Sequence, residues 1–334
     1  MRNYRSTILS LALGLGLGLV LGTSGAALSQ EQLKLAHGLA PAPNSHHGIA
    51  AATWGSEIGT QSQGRFTVQE FPASALGGER EMVEGVLLGT IDMVVVSSGT
   101  LGNFVPAVGV FDVPFLFRDA DHARLVMDGP IGDELLGAFE GSGLVAIAWG
   151  EQGFRHITSN KGPIRKPADL LGQKIRTMEN PIHLTAFQAL GAAPTPMAWP
   201  EVMGALQQGT IDGQENPLAV IVSAKLAGVQ KHATLSAHVY SPSLFLVSEK
   251  RWNRLSAEDR EIFRDAARKG VAEMRAFVDG ITVSGVETLK ASGMEIVELT
   301  PEEHAAFRNG LAEAYVGYRQ TFGSELIDRI ISAQ

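Results

Sequence analysis

Between residues 153 and 217 the chain gathers side chains suited to holding an acid. Lys174-Ile175-Arg176-Thr177 reads as a short strand, with Arg176 between a buried position and the turn-forming Asn180-Pro181. An arginine at the end of a buried strand in an acidic protein calls for an anionic partner. Its planar fork donates two parallel hydrogen bonds to a carboxylate, a geometry lysine cannot reproduce. A structural ion pair with Asp169, Glu179 or Glu215 is the competing use of the same charge. Further on, Pro194-Thr195-Pro196-Met197-Ala198-Trp199-Pro200 sets three prolines around one tryptophan. Such a stiff loop can hold Trp199 over a cleft or, as readily, deliver it to a core. Asn216, within Asp212-Gly213-Gln214-Glu215-Asn216-Pro217, offers donor and acceptor together, which suits a carboxylate or a hydroxyl.

Catalytic signatures are missing from the same sequence. It has no His-Glu-x-x-His, no Gly-x-Ser-x-Gly and no Walker phosphate loop. Gly141-Ser142-Gly143-Leu144-Val145-Ala146 imitates a dinucleotide fingerprint, but it precedes a strand instead of following one. His37, His46 and His47 cluster without an acid at ligand spacing, so a surface or helix-start role is expected and no metal. The absence of cysteine excludes disulfides, thiolate catalysis and zinc-thiolate sites. No cofactor is expected.

The elements that must position these residues alternate between strand and helix, the pattern of an α/β fold. Leu33–Ala36, Phe66–Gln69, Met93–Val96, Val145–Ala148, Lys174–Thr177 and Leu244–Val247 read as strands, with helices over Ser45–Ile58 and Glu79–Leu88 among them. Residues 81–92 (EMVEGVLLGTID) and 201–212 (EVMGALQQGTID) echo each other. Each reads as a helix closed by a glycine cap and feeding a strand. Either this is a common helix-to-strand turn met twice, or two lobes are built on equivalent units with a cleft between them. A capping box at Ser256 and Asp259 starts a helical pattern that runs from about Ala257 to Leu289. At about 1.5 Å per residue that helix is long enough to brace both lobes. Thr300-Pro301-Glu302-Glu303 starts another helix.

The 334 residues, 45% hydrophobic and 19% charged, suffice for two lobes with cores of their own. A net charge of -8 argues against nucleic acid or an anionic membrane as the main partner. Arg2 and Arg5, the apolar run Ile8–Leu21 and the small residues up to Ser29 form the order of a secretory signal. Cleavage is expected after Ser29, and the product should be periplasmic.

Taken together, Gly-x-Arg-x-x-Thr-Ser-Asn (153–160), Asp-Leu-x-Gly-x-Lys-Ile-Arg (169–176), Pro-Thr-Pro-Met-Ala-Trp-x-Glu (194–201) and Asp-Gly-Gln-Glu-Asn-Pro (212–217) resemble the solute-binding subunits of TRAP transporters, the DctP type. Phe71-Pro72 through Leu76-Gly77, Gly-Thr-Ile-Asp-Met (89–93) and Val113-Pro114-Phe115-Leu116-Phe117 extend the match along essentially the whole mature chain. The resemblance implies a two-lobed, Venus-flytrap-like α/β protein with a long helix bridging the lobes. Residues 30–152 with about 241–280 would form lobe I, and 153–240 with about 281–334 lobe II. A monomer would capture an organic acid and deliver it to a membrane permease of a small and a large subunit, driven in the family by a sodium gradient.

By position Arg176 resembles the family's carboxylate-clamping arginine, Arg155 a second ligand-side arginine, Asn216 the ligand asparagine and Trp199 the aromatic packed on the ligand. Glu215 would orient the arginines. Ser97 and Gly38 depart from the sialic-acid-binding branch, which implies a smaller ligand. His37, Asn44, Glu79, Ser97, Ser98 and Glu179 are the candidates for selecting the other end of the ligand. C4-dicarboxylates, sugar acids and hydroxy or keto acids all stay open. The alternatives are an ABC-type binding protein and a periplasmic enzyme on sugar acids using Glu179 or Glu215 as acid or base.

Overall fold

Alternating strands and helices assemble around one nine-stranded mixed sheet in the computed structural model, which describes residues 30–334. The segment 1–29, expected as a signal, lies outside the described residues. The chain runs β1 Glu31–His37, α1 His46–Gln61, β2 Phe66–Phe71, α2 Glu79–Leu88, β3 Met93–Ser97 and α3 Ser98–Leu101. Helices α4 Ala120–Met127 and α5 Pro130–Gly137 lead into the long strand β4 Leu144–Ser159. A second set follows: β5 Lys174–Thr177, α6 Pro181–Ala189, β6 Ala193–Pro196, α7 Trp199–Gln208, β7 Gly213–Pro217 and α8 Leu218–Ser223. The long strand β8 His232–Ser248 returns through the middle, and α9 Glu249–Trp252, α10 Ala257–Ala291, β9 Glu295–Glu298, α11 Pro301–Gly310, α12 Ala312–Phe322 and α13 Ser324–Ser332 complete the chain.

The sheet order β2-β1-β3-β8-β4-β7-β5-β6 places a parallel triplet on each flank. Between the flanks β4 and β8 run antiparallel from Leu144↔Ser248 to Ser159↔His232, so both strands belong to both lobes. Their register shifts between Glu151 and Gly153, where Gly153 takes φ 90°, a conformation other residues rarely adopt.

Both copies of the internal echo fold alike. Gly89 and Gly209 close α2 and α7 in the left-handed region, with φ 79° and 68°. Asp92 Oδ2 then accepts from Lys34 N at 2.9 Å, and Asp212 Oδ2 accepts from Lys174 N at 2.8 Å. Thr90 and Thr210 each return their hydroxyl to a carbonyl of the preceding helix at 3.1 Å. The echo is therefore a repeated βαβ construction, one copy per lobe.

Helix α10 is the expected brace. Ser256 caps it through Asp259 N at 3.0 Å. Its first turns bury Phe263, Ala266, Ala267 and Met274 against Trp54 and Ala50 of α1, while Leu289 near its end joins Val202 and Leu206 of α7. The close crossing depends on Gly270, where a Cβ would lie 3.0 Å from Ala50 O. The tail makes contacts on both sides of the central strands. Tyr318 Oη donates to Ile182 O at 3.0 Å, whereas Arg118 donates to Ile331 O and Ala333 O, each at 2.9 Å.

Candidate functional site

A cleft of about 510 Å³, partly open to solvent, lies where the two repeated units face each other. It sits beyond the carboxyl ends of the parallel strands, where an open α/β sheet offers a crevice. Lobe II contributes Arg176 from the end of β5, Asn216 from β7, and Trp199 from the first turn of α7. From lobe I come Gly38 after β1, Glu79 from the first turn of α2, Ser97 from the end of β3, and His47 from α1. Gln152 closes the floor at the register shift of β4. The two lobes touch at the rim: Asn103 Nδ2 donates to Glu179 O at 2.7 Å, and Asn180 Nδ2 to Gly99 O at 3.0 Å.

Arg176 is 3% exposed, and its Nε and Nη2 both donate to Met197 O, at 2.9 and 2.6 Å. Its guanidinium carbon lies 5.9 Å from the centre of the Trp199 ring. Burial pushes its pKa down to about 10, against the pull of Glu215. Among the described residues no carboxylate stands within ion-pair distance of it. The three acids that could have paired with it are engaged elsewhere or lie apart. Asp169 accepts from Arg165 N and Lys166 N, Glu215 pairs with Arg155, and Glu179 lines the cleft without bridging to Arg176.

Arg155 does not line the cleft. Its Nη2 donates to Glu215 Oε1 at 2.8 Å and to Glu215 O at 2.7 Å, and both side chains are buried behind Asn216. Burial pushes the Glu215 carboxyl up, but Arg155, His183 and His238 more than offset it and hold it well below the usual carboxylate range. Arg155 also reaches Asn216 Oδ1 at 3.4 Å, and Asn216 Nδ2 donates to Gln214 Oε1. Asn216 thus has its oxygen occupied and one N–H left over. The buried pair serves as the support behind Asn216.

The remaining candidates divide. Glu79, Ser97 and Glu179 line the cleft. Ser98 turns away, donating to buried Asp112 at 3.2 Å. His37 pairs with Glu70 at 2.9 Å on the β1–β2 side, because the alternation of β1 directs it from the cleft. Asn44 lies exposed in the turn before α1 and also stands off the cleft. His46 and His47 occupy the first turn of α1 as expected, yet both are buried and not on the surface. His47, Arg80, Thr100 and Gln152 are polar lining residues that sequence reasoning did not assign to a ligand. His47 reaches the cleft through a contact with Ser243, a position remote in sequence, so only the assembled fold signals its role.

A model described as DctP, bacterial extracellular solute-binding protein, family 7, matches residues 36–321. A solute-binding protein of Verminephrobacter eiseniae is 48% identical over 92% of this chain and 91% of its own length. A TRAP periplasmic solute-binding protein of Polaromonas, solved bound to D-erythronate, is 46% identical with a TM-score of 0.88, covering 91% of this chain and 99% of its own. Another, from Sulfurospirillum deleyianum with bound succinate, is 32% identical with a TM-score of 0.86, covering 91% of this chain and 99% of its own.

Proposed function

The chain belongs to the DctP family, family 7 of the bacterial extracellular solute-binding proteins, and on that premise we propose that Arg176 clamps the carboxylate of the solute it carries. It is a TRAP solute-binding protein for small organic acids. The observation that carries the clamp is a buried, cleft-lining guanidinium whose partner is a carbonyl and not an acid. A carboxylate docking there would take the remaining Nη1/Nη2 edge of the guanidinium, with the spare N–H of Asn216 beside it and Trp199 against its carbon chain.

Closure then follows from linkage. The ligand touches both walls only when lobes I (30–152 with about 241–280) and II (153–240 with about 281–334) are together, so it favours the closed form by its differential affinity. In this reading β4 and β8 flex at the register shift near Gly153. The closed form is what a permease of small and large membrane subunits would recognise. Segment 1–29 would direct export and be removed after Ser29, placing the protein in the periplasm. In this reading no bond is made or broken: of the two acids an enzyme would use, Glu215 is sealed behind the wall and Glu179 alone is left at the cleft. Incubated ligand should return unchanged by mass spectrometry; a new mass would mark an enzyme.

Calorimetry of Arg176→Ala and Arg176→Lys against an acid panel tests the clamp. Truncating one partner of a desolvated charge pair costs about 2–5 kcal/mol, roughly 30-fold to several-thousand-fold in affinity. An Arg176→Ala protein that binds within about threefold of wild type would overturn the assignment.

A further inference from the structure

We infer that the ligand is a short hydroxylated monocarboxylate and not a dicarboxylate, with Glu79 and His47 selecting its hydroxylated end; this rests on the Arg176 clamp. A relative 46% identical was solved with D-erythronate and one 32% identical with succinate, so the shared fold accommodates both classes. The lobe I wall of the cleft chooses between them. Helices α2 and α7 meet there at their first turns, where a Cβ on Gly78 would lie 3.3 Å from Ala198 Cβ. Glu79 and Thr100 line the cleft from lobe I, and Arg176 and Trp199 line it from lobe II.

Glu79 is fixed by three donors. Ser97 N and Ser97 Oγ reach Oε1 at 3.0 and 2.8 Å, and Thr100 Oγ1 reaches Oε2 at 2.7 Å. A carboxylate has about four acceptor positions, so this arrangement leaves Oε2 able to take one more proton donor. Held by three donors, the Glu79 carboxylate presents only acceptors. A second ligand carboxylate at this end would bring lone pairs against lone pairs and charge against charge, whereas a hydroxyl donates to it.

His47 makes the same choice by a different route. Burial, with His46 and His37 nearby, holds its imidazole neutral. Nε2 is bonded to Ser243 Oγ at 2.9 Å, while Nδ1 is buried with no partner among the described residues. A neutral ring brings no positive charge to balance a carboxylate. A hydroxyl, donor and acceptor at once, suits either tautomer. The other cation of the lining, Arg80, is exposed at the rim and paired with Glu84 at 3.2 Å on its own helix. The inner cleft therefore offers one buried cation for one carboxylate, and beyond it acceptors that want hydroxyl protons.

The test is calorimetry on the mature full-length protein with two probes of equal chain length, D-erythronate and succinate. Wild type, Glu79→Gln, His47→Ala and Arg176→Ala are compared, with melting curves to confirm that each is folded. Like-charge juxtaposition is strongly penalised in a desolvated site, so wild type should prefer erythronate by about 100-fold or more. Glu79→Gln, which can donate as well as accept, should narrow that preference by about tenfold, and His47→Ala should weaken erythronate more than succinate. Wild type binding succinate as tightly as erythronate, or Glu79→Gln leaving the ratio within about threefold, would overturn the selection by this wall. Arg176→Ala separates the two readings: retention of both probes removes the clamp itself, whereas loss of both with an unmoved Glu79→Gln ratio removes only the present inference.

Discussion

The two echoed units share their turns and differ at their strand tips. Aligning Gly89-Thr90-Ile91-Asp92 with Gly209-Thr210-Ile211-Asp212 sets Val94, Val95 and Val96 opposite Gln214, Glu215 and Asn216. The matching backbone bonds from Lys34 and Lys174 likewise set Ala36 opposite Arg176. At the first helical turn Glu79 stands opposite Trp199. Lobe I keeps its strand tips apolar and lines the cleft with side chains at their margins. Lobe II buries charge within the strands. What allows this is pairing: Glu215 sits where lobe I has a valine, and it is affordable only because Arg155 from β4 meets it with Nε and Nη2. The repeated parts are the ones that make a helix turn into a strand, and the divergent parts supply Glu79, Trp199, Arg176 and Asn216 to the cleft.

The largest expected effect tests that pairing. Glu215→Ala leaves Arg155 buried and without its acid, and breaking such a pair costs about 3–5 kcal/mol. Val95→Ala at the echoed position removes two methyl groups and leaves a small cavity, at about 2 kcal/mol. Urea unfolding of both variants should rank them in that order. Equal losses would mean that the pair is no more than packing.

What could be read from the sequence follows the same division. Turn and cap chemistry is local, so Gly89, Gly209, Ser256 and Thr300 announced their elements. Arg176, Trp199 and Asn216 stood out as polar or aromatic residues in segments otherwise built for burial. The two long central strands did not stand out. Strands β4 and β8 run 16 and 17 residues, yet Gly153 and Pro242 look like punctuation, and only Val145–Ala148 and Leu244–Val247 read as strand. The cross-lobe contacts were equally hidden, since His47 meets Ser243 and Asp112 meets Asn180 only after both lobes are assembled.

Acid is the next lever, because each lobe holds a buried neutral histidine. Burial lowers His46 in lobe I to about 4 and His183 in lobe II to about 3. The unfolded chain takes up a proton near pH 6.5, so the stability tied to each is full above that pH and is lost as pH falls toward the folded value. For His46 the shift corresponds to about 3 kcal/mol. Asp112, between the lobes, runs the other way: burial raises it to about 7, against Arg155. Its contribution is full below about pH 3.8 and is lost as pH rises through about 7. Melting curves from pH 8 to pH 4 should therefore fall less steeply for His46→Gln than for wild type. Asp112→Asn should gain most at pH 8 and little at pH 4. A parallel offset at all pH values for both variants would assign these residues to packing alone.

The smallest expected effect is the sharpest test of the repeat itself. Gly89 and Gly209 adopt the same left-handed cap, and an L side chain there costs about 1–2 kcal/mol. Their surroundings differ: a Cβ on Gly89 would meet Lys250 Cδ at 3.1 Å, whereas nothing lies within 4 Å of one on Gly209. The lysine side chain is flexible and can yield, so backbone strain should dominate at both positions. Gly89→Ala and Gly209→Ala are expected to destabilise by equal amounts within about 0.5 kcal/mol, and to leave ligand affinity unchanged, since neither cap lines the cleft. A larger loss at Gly89 alone would mean that the contact with Lys250, not the turn, sets the cost. The equivalence of the two units would then hold for their hydrogen bonds and not for their energetics.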